Sequence, residues 1–396
     1  MNHDYDILIV GSGLVGGSLA LALRDAGLHV GIVDAQIDAA RLSSPSGNRA
    51  LALSRGTRQI LQGLGMWKAI EPDAMAIRHI QVSDQGHFGK TRLHAADTGV
   101  DALGHVVVAR LIEEAISHQL DNSTLTRLCP ARIAGLKAGR DRVCVMLKHN
   151  EAELNVTTRL LVGADGGNST VRTLLNIGQK VTDYGQTAIV TEIMTSKDNQ
   201  HTAYERFTAS GPLAVLPLAR RKSSVVWTLN SPDAQNCLQL DTTEFTARLQ
   251  KAFGYWLGEI ELAATPVGFP LKLIRAERMT DDRVVLIGNA MHQIHPVAGQ
   301  GFNLGLRDAA LLAERVQTKA SFGEDIGSAE FLSRFAQARD GDLNHVIRFT
   351  DSLVRMFSTD STPVTLARNA ALMALDRIPP AKRLLAKHAM GYGIRL

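Results

Sequence analysis

Short apolar runs that stop abruptly at a glycine recur along this chain, each followed by residues with helical spacing. Tyr5-Asp-Ile-Leu-Ile-Val10 is apolar on both faces, as a strand inside a parallel sheet must be, and it ends at Gly11. Ser18 to Ala26 then reads as a helix closed by Gly27, a residue suited to a left-handed C-cap. His29 to Val33 is a second short strand, finishing at Asp34. Leu160 to Val162 repeat the pattern before Gly163-Ala-Asp165-Gly166, and Asn168 to Arg172 mark a helix start. Arg283 to Ile287 do so again before Gly288-Asn289; the chain then passes through His295-Pro296 and Ala298-Gly299-Gln-Gly301-Phe-Asn303 into a helix over about Leu304 to Val316. Between about Val181 and Pro270 the period changes to two, with strands at Ala188 to Ile193, Ala214 to Leu218 and Ser224 to Leu229. Within that region the apolar stretch Leu213 to Leu216 either lines a pocket or fills a core. Strand and helix alternation of this kind predicts an α/β fold built on a parallel sheet.

The first of these turns carries chemistry. Gly11-Ser-Gly13-Leu-Val-Gly16 has the spacing of a dinucleotide fingerprint, in which one glycine permits the tight turn, the next admits a pyrophosphate to the backbone, and the third lets helix and strand pack closely. Asp34 falls about twenty residues further on, where a carboxylate accepts ribose hydroxyls. A glycine-rich turn alone is a weak signal, and Asp34 alone would read as a solvated strand end. The ordered succession of strand, glycines, helix, strand and acid is what favours a bound dinucleotide. Strand ends of one parallel sheet face a common crevice, so the three glycine turns would converge on one elongated ligand.

Composition narrows the field. The 396 residues leave room for two or three domains at roughly 100 to 200 residues each. A net charge of 43 − 39 = +4 is too balanced to favour nucleic acid as a partner. Three cysteines form no metal spacing, so no metal is expected. The apolar run after Met1 stops too soon for a secretory signal, and no window reaches the roughly 18 apolar residues of a spanning helix, which makes a cytoplasmic location the expectation. From Pro363 to Leu396 the bases Arg368, Arg377, Lys382, Arg383, Lys387 and Arg395 oppose one acid, Asp376. Two readings stay open there: a basic amphipathic helix in peripheral contact with the inner face of the membrane, or a packed helix with a solvated basic face.

The fingerprint, the Gly163 to Gly166 turn and the Gly288 to Asn303 segment together resemble the three signatures of the flavoprotein aromatic hydroxylases, single-component FAD monooxygenases similar to para-hydroxybenzoate hydroxylase. The wording of Gly288 to Gly305, of Glu205 to Pro217 and of Asn48 to Leu53 resembles the ubiquinone-biosynthesis hydroxylases within that family, across nearly the whole chain. The resemblance implies a Rossmann-like FAD-binding domain of glutathione-reductase type (1–180 and 271–350), an inserted α+β substrate domain (181–270) and a C-terminal helical segment (351–396). It implies FAD as cofactor, NAD(P)H and O2 as co-substrates, and hydroxylation of a polyprenylated phenol such as 2-polyprenyl-6-methoxyphenol through a flavin C4a-hydroperoxide. A ubiquinone-biosynthesis assembly is the implied protein partner.

Carried over residue by residue, Gly11, Gly13 and Gly16 would hold the pyrophosphate, Asp34 the adenosine ribose and Arg110 the phosphate or adenosine side. Arg49 would sit on the cofactor side of the substrate entrance, and the backbone and carboxylate of Asp165 would support cofactor and nicotinamide groove. Pro296 would pack beside the isoalloxazine, and the amides from Gly299 through Gly301 to Asn303 would face the negative charge of the reduced ring. Gly288-Asn289 departs from the family, which mostly has aspartate there; an amide still offers an acceptor and two donors to a ribityl hydroxyl. No catalytic base is assigned. His292 and His295 fit loop-bracing histidines better than bases, and Tyr204 is a weaker candidate. Three rival readings remain: another ring hydroxylase of the ubiquinone pathway, a flavin reductase of isoprenoid chains and a non-catalytic flavin-bearing subunit.

Overall fold

A computed structural model describes residues 3–150, 152–294, 299–357, 362–378, 380–383, 386 and 390. Its first sheet has a parallel centre in which Thr126–Leu128, Val30–Val33, Tyr5–Val10, Ala152–Gly163 and Val284–Leu286 lie side by side. Ile7, Leu8 and Ile9 are fully buried, as a run apolar on both faces demands. Register sets where these strands stop: Val10 lies opposite both Val33 and Gly163, and Gly163 opposite Leu286. The strands that end in glycine turns therefore end level, at one edge of one sheet.

The helix expected from Ser18 runs instead over Leu14–Leu23. It starts earlier because Gly16 and Gly17 belong to it, letting its first turn press onto Gly11 and its flank onto Ile116. It also stops earlier than expected, at Leu23 with Arg24 as its C-cap, so Gly27, in the left-handed region at φ 67°, turns the chain four residues beyond the helix instead of capping it. The helix expected from Leu304 likewise begins early and is long, Gln300–Ser321. It crosses Leu14–Leu23 where Gly305 leaves no room: a Cβ there would meet Val15 at 2.9 Å.

A second sheet, of nine strands among the described residues, holds Gln179–Thr195, Thr202–Thr208, Gly211–Ala219, Lys222–Asn230, Ile260–Leu262 and Val267–Ala276, and draws in His79–Asp84, Lys90–His94 and His292–Gln293 from outside 181–270. Strand Thr202–Thr208 acquires its second neighbour this way, running parallel to His79–Asp84. One face of the sheet packs on helices Ser231–Leu238 and Thr242–Phe253 around Trp227, Phe245 and Phe253. Strand alternation resolves the Leu213 to Leu216 stretch in both ways at once. Leu213 and Val215 are buried in that core, while Ala214 and Leu216 face a cavity on the opposite side.

Near the C-terminus, helix Thr362–Arg377 lies on the 79–94 strands. Asn369 bonds Asp84 and the Gly89 amide at 2.9 and 2.7 Å, and Leu372 covers Phe207. Arg377 and Arg383 are exposed, whereas Lys382 pairs with Asp376 at 3.6 Å. Lys387 and Arg395 lie outside the described residues. No described helix is long and apolar enough to cross a membrane.

Candidate functional site

The glycine turns are stitched together by backbone. The Gly11 amide donates to Val33, that of Ala164 to Val10 and that of Ile287 to Gly163, all at 2.8 to 2.9 Å. A Cβ on Gly16 would stand 1.9 Å from the Gly11 carbonyl oxygen, and one on Gly11 2.5 Å from that of Ala164. Gly13 differs: a Cβ there would meet nothing within 4 Å, since it faces the cavity. Two glycines thus serve protein packing, and the middle one leaves space for a ligand.

Asp34 ends its strand with the carboxylate turned back onto the first loop. Its Oδ2 accepts from the Ser12 amide at 2.6 Å and the Ser12 hydroxyl at 2.8 Å, and Oδ1 accepts from the Gln36 amide at 2.8 Å. Arg41, 3.4 Å from Asp34, also bonds Asp38, which Arg127 and Ser117 hold from the other side. Burial opposes charge on Asp38, but Ser117, Arg127 and Arg41 outweigh it and keep its carboxyl below the usual range. This network was not legible in the sequence. Arg110 opens helix Ala109–Asp121 with its guanidinium on the Leu42 carbonyl and, at 2.6 Å, on Asn48, so it closes the 42–48 loop.

In the second turn the Asp165 carboxylate caps helix Thr170–Leu174, accepting from the Thr170 and Val171 amides at 2.7 and 3.1 Å and from Ser169. What this turn presents to the cavity is Ala164 and Gly166. Buried Arg172 ties it to the third turn, donating to Gly167 at 2.7 Å and to Ala290 at 2.8 Å.

The third turn hangs on Asp308, a residue that no motif in the sequence marks. This fully buried carboxylate accepts from the Gly288 amide at 3.0 Å and Arg339 Nε at 2.7 Å, and lies 2.8 Å from His292 Nε2. Burial alone would raise its pKa, but His292, Arg339 and the amide bring it down to about 2. His292 is accordingly a bracing residue, and His295 and Pro296 lie outside the described residues. Asn289 is exposed and lines the cavity.

Gly299, in the left-handed region at φ 61°, starts helix Gln300–Ser321, whose first residues border the same space with the amides that a helix N-terminus leaves without intrahelical acceptors. The Asn303 side chain is spent on structure: its Oδ1 accepts from Ser54 and Thr57, and its Nδ2 donates to Ala52 and Gly299. Only its backbone remains for a ligand. Tyr204 packs its ring on Phe253 at 5.5 Å against the helix-covered core, and the residue also borders the cavity.

The three turns and the open face of the second sheet enclose a cavity of about 1200 Å³. Ordinary small-molecule sites span roughly 300 to 1,000 Å³, so this one has room for a cofactor and a further ligand. One wall is glycine backbone, Arg49, Asn289 and helix amides; the other is aliphatic, with Val190, Leu216 and Val226. Glycines with space for a pyrophosphate, an oriented amide set and an uncommitted amide side chain at Asn289 are a donor set that fits FAD. Among the described residues no cluster could hold a metal ion.

Comparison with known proteins agrees with that geometry. Residues 4–321 match the family described as FAD binding domain. The chain is 38% identical over 388 residues to the ubiquinone hydroxylase UbiL of Rhodospirillum rubrum, covering 98% of this chain and 89% of that one. It is 30% identical to the 3-demethoxyubiquinol 3-hydroxylase of Escherichia coli, covering 98% and 99%. The crystal structure of p-nitrophenol 4-monooxygenase PnpA from Pseudomonas putida superposes with a TM-score of 0.82 at 18% identity over 100% of both chains, a likeness of fold.

The glycines yield a paired prediction. Gly13→Ala is expected to fold with an unchanged urea midpoint yet lose flavin affinity, whereas Gly16→Ala should lose both flavin and about 1 to 3 kcal/mol of stability, because the helix must move. Flavin absorbance and urea titration read the two effects; full flavin affinity in Gly13→Ala would mean that no ligand approaches there. For Asp308→Asn, which leaves buried Arg339 with less compensating charge, the expected loss is about 3 to 5 kcal/mol. Because the folded protein holds the Asp308 carboxyl below its ordinary value, its contribution is complete at neutral pH and fades as pH falls from about 4 toward 2. Unfolding midpoints across that range should fall more steeply in the wild type than in Asp308→Asn.

Proposed function

The chain belongs to the FAD-binding-domain family and is an FAD-dependent aromatic monooxygenase, and from that premise we propose that it hydroxylates a polyprenylated phenol of ubiquinone biosynthesis, 2-polyprenyl-6-methoxyphenol. The observation that carries the substrate class is the two-sided cavity, because its aliphatic wall comes from the second sheet and not from the turns that would hold a cofactor. An isoprenoid tail gains from burial against that wall at about 25 cal/mol per Å² of apolar surface.

In this reading the Gly11 to Gly16 turn takes the pyrophosphate, and Asp34, already oriented by Ser12, the adenosine ribose. Asn289 takes a ribityl hydroxyl, and losing that one neutral bond would cost about 0.5 to 1.5 kcal/mol, a small part of the binding of so large a ligand. When bound, FAD supplies the two-electron chemistry that lets NAD(P)H and O2 oxygenate an electron-rich ring. The residues do the remaining work. The amides of Gln300 to Asn303 stabilise negative charge on the adjoining ring, as a helix N-terminus does. The aliphatic wall keeps water from the reacting centre.

The purified protein is expected to carry FAD and to consume O2 in the presence of NAD(P)H and a prenylated phenol, with product matching O2 consumed. A colourless protein that FAD cannot reconstitute would contradict the cofactor reading; NAD(P)H oxidation with reduction of a prenyl double bond and no O2 uptake would contradict the reaction. Deleting the gene should make the 6-methoxyphenol precursor accumulate, and accumulation of a different ring precursor would transfer the substrate assignment to that compound.

A further inference from the structure

The cavity's aliphatic wall contains a carboxyl group that neither the fold nor the cofactor site employs. Strand Thr202–Thr208 alternates. The Tyr204 ring turns to the helices, although that residue also borders the cavity, and Arg206 donates to the Ala252 carbonyl at 3.0 Å on that same side, so the side chains of Ala203, Glu205 and Phe207 face the cavity. Pairing sets Glu205 between Val82 and Ala214, and the row continues through Val226 to Val190. These neighbours are all apolar, and Thr91, which follows Val82 on the other side, spends its hydroxyl on the Leu372 carbonyl. Glu205 lies deep in the molecule, its accessible surface opens onto the cavity, and it has no hydrogen bond or ion pair among the described residues.

An uncompensated carboxyl on an apolar wall costs stability, and such a cost is tolerated chiefly at functional sites. The other charged groups facing this space are committed elsewhere or distributed along other walls. Asp84 is held by Asn369, Asp342 by Arg307 and Arg339, and Lys272 by Asp183. Arg49 and Glu113 belong to the turn side, and His345 reaches the cavity from helix Ala329–Phe357. None of them offsets the burial of Glu205, which pushes its carboxyl up to about 7. A group of that basicity is matched to proton transfer at neutral pH.

We propose that Glu205 contacts the phenolic hydroxyl of the substrate and accepts its proton, supplying the base for the hydroxylation. The inference rests on the phenol-hydroxylase reading and deepens it. The O–H bond of the phenol breaks, the proton passes to the Glu205 carboxylate, and the electron pair stays on oxygen, raising electron density at the ortho and para carbons. One of these forms the new C–O bond with one atom of O2, while the other atom leaves as water with two electrons from NAD(P)H. The displaced ring C–H proton goes to solvent as aromaticity returns, and Glu205 gives its proton back to the phenolate oxygen.

The test compares FAD-loaded wild type, Glu205→Gln and Glu205→Asp, with 2-geranylphenol in detergent as substrate. Wild-type kcat/KM should rise with pH through a limb near 7, because only the carboxylate accepts the proton. Glu205→Gln, isosteric and unable to take up a proton, should retain FAD but lose kcat by roughly 10²- to 10⁴-fold and lose that limb. Glu205→Asp should restore the limb at a reduced rate. A Gln variant that hydroxylates within about twofold of wild type and with the same pH profile would overturn the proposal while leaving the phenol-hydroxylase reading intact. A wild type that hydroxylates no prenylated phenol would remove both. A Gln variant that does not retain FAD shifts the decision to Glu205→Asp, where a flat pH profile overturns the proposal.

Discussion

Backbone-to-backbone contact between turns distant in sequence is the constraint on which this molecule depends. Val10, Gly163 and Leu286 sit level in adjacent parallel strands, and the amides of Ala164 and Ile287 bond across to the neighbouring turn. Such contact is available only where side chains are missing. Gly16 lies against the Gly11 carbonyl at a distance where no Cβ could stand, and at Gly305 a Cβ would crowd Val15 and the Gly288 backbone. The crevice is therefore walled by peptide groups, the donors an anionic cofactor needs, and its shape is set by hydrogen bonds whose geometry is fixed.

Around this frame, buried charge holds what backbone cannot. Asp308 gathers the Gly288 amide, His292 and Arg339, and so fastens the third turn to the two long helices behind it. Arg172 fastens the second turn to the third, and Asn303 the start of its helix to the 52–57 segment. None of these side chains need touch a ligand for the site to depend on it. Opposite them the second sheet contributes an almost wholly apolar face, so the cavity joins a polar, peptide-lined half to a dry half. That division suits chemistry in which charge develops on one partner and water must be kept from the other.

Much of this was legible in the sequence because missing side chains are visible there. Gly11, Gly13 and Gly16 at fixed spacing after an apolar run, and the later Gly163 and Gly288 turns, specify local geometry that the chain cannot satisfy otherwise. What depends on tertiary pairing was not. Asp308 and Arg339 stand in separate helices, and Ser54 meets Asn303 across 249 positions, so no local period signals either contact. The same limit explains why the Asp165 carboxylate reads as a cofactor contact although it caps a helix, and why the clamp made by the Asn303 side chain went unseen beside the role expected of its backbone amide. Recruitment of 79–94 into the second sheet was hidden because a parallel partner leaves no turn signal. Glu205 belongs to a motif visible in the sequence, yet its face of the strand became meaningful only once Val82 and Ala214 were known to flank it.

We propose that the glycine turns surround one flavin whose ring abuts the aliphatic wall. A crystal structure of the protein with FAD decides this. The pyrophosphate is expected against Gly13, the ribityl chain beside Asn289, and the isoalloxazine between the Gln300 to Asn303 amides and the Val190–Val226 face. Density for the flavin outside this cavity, or a complex in which the turns have separated to admit it, would overturn that arrangement.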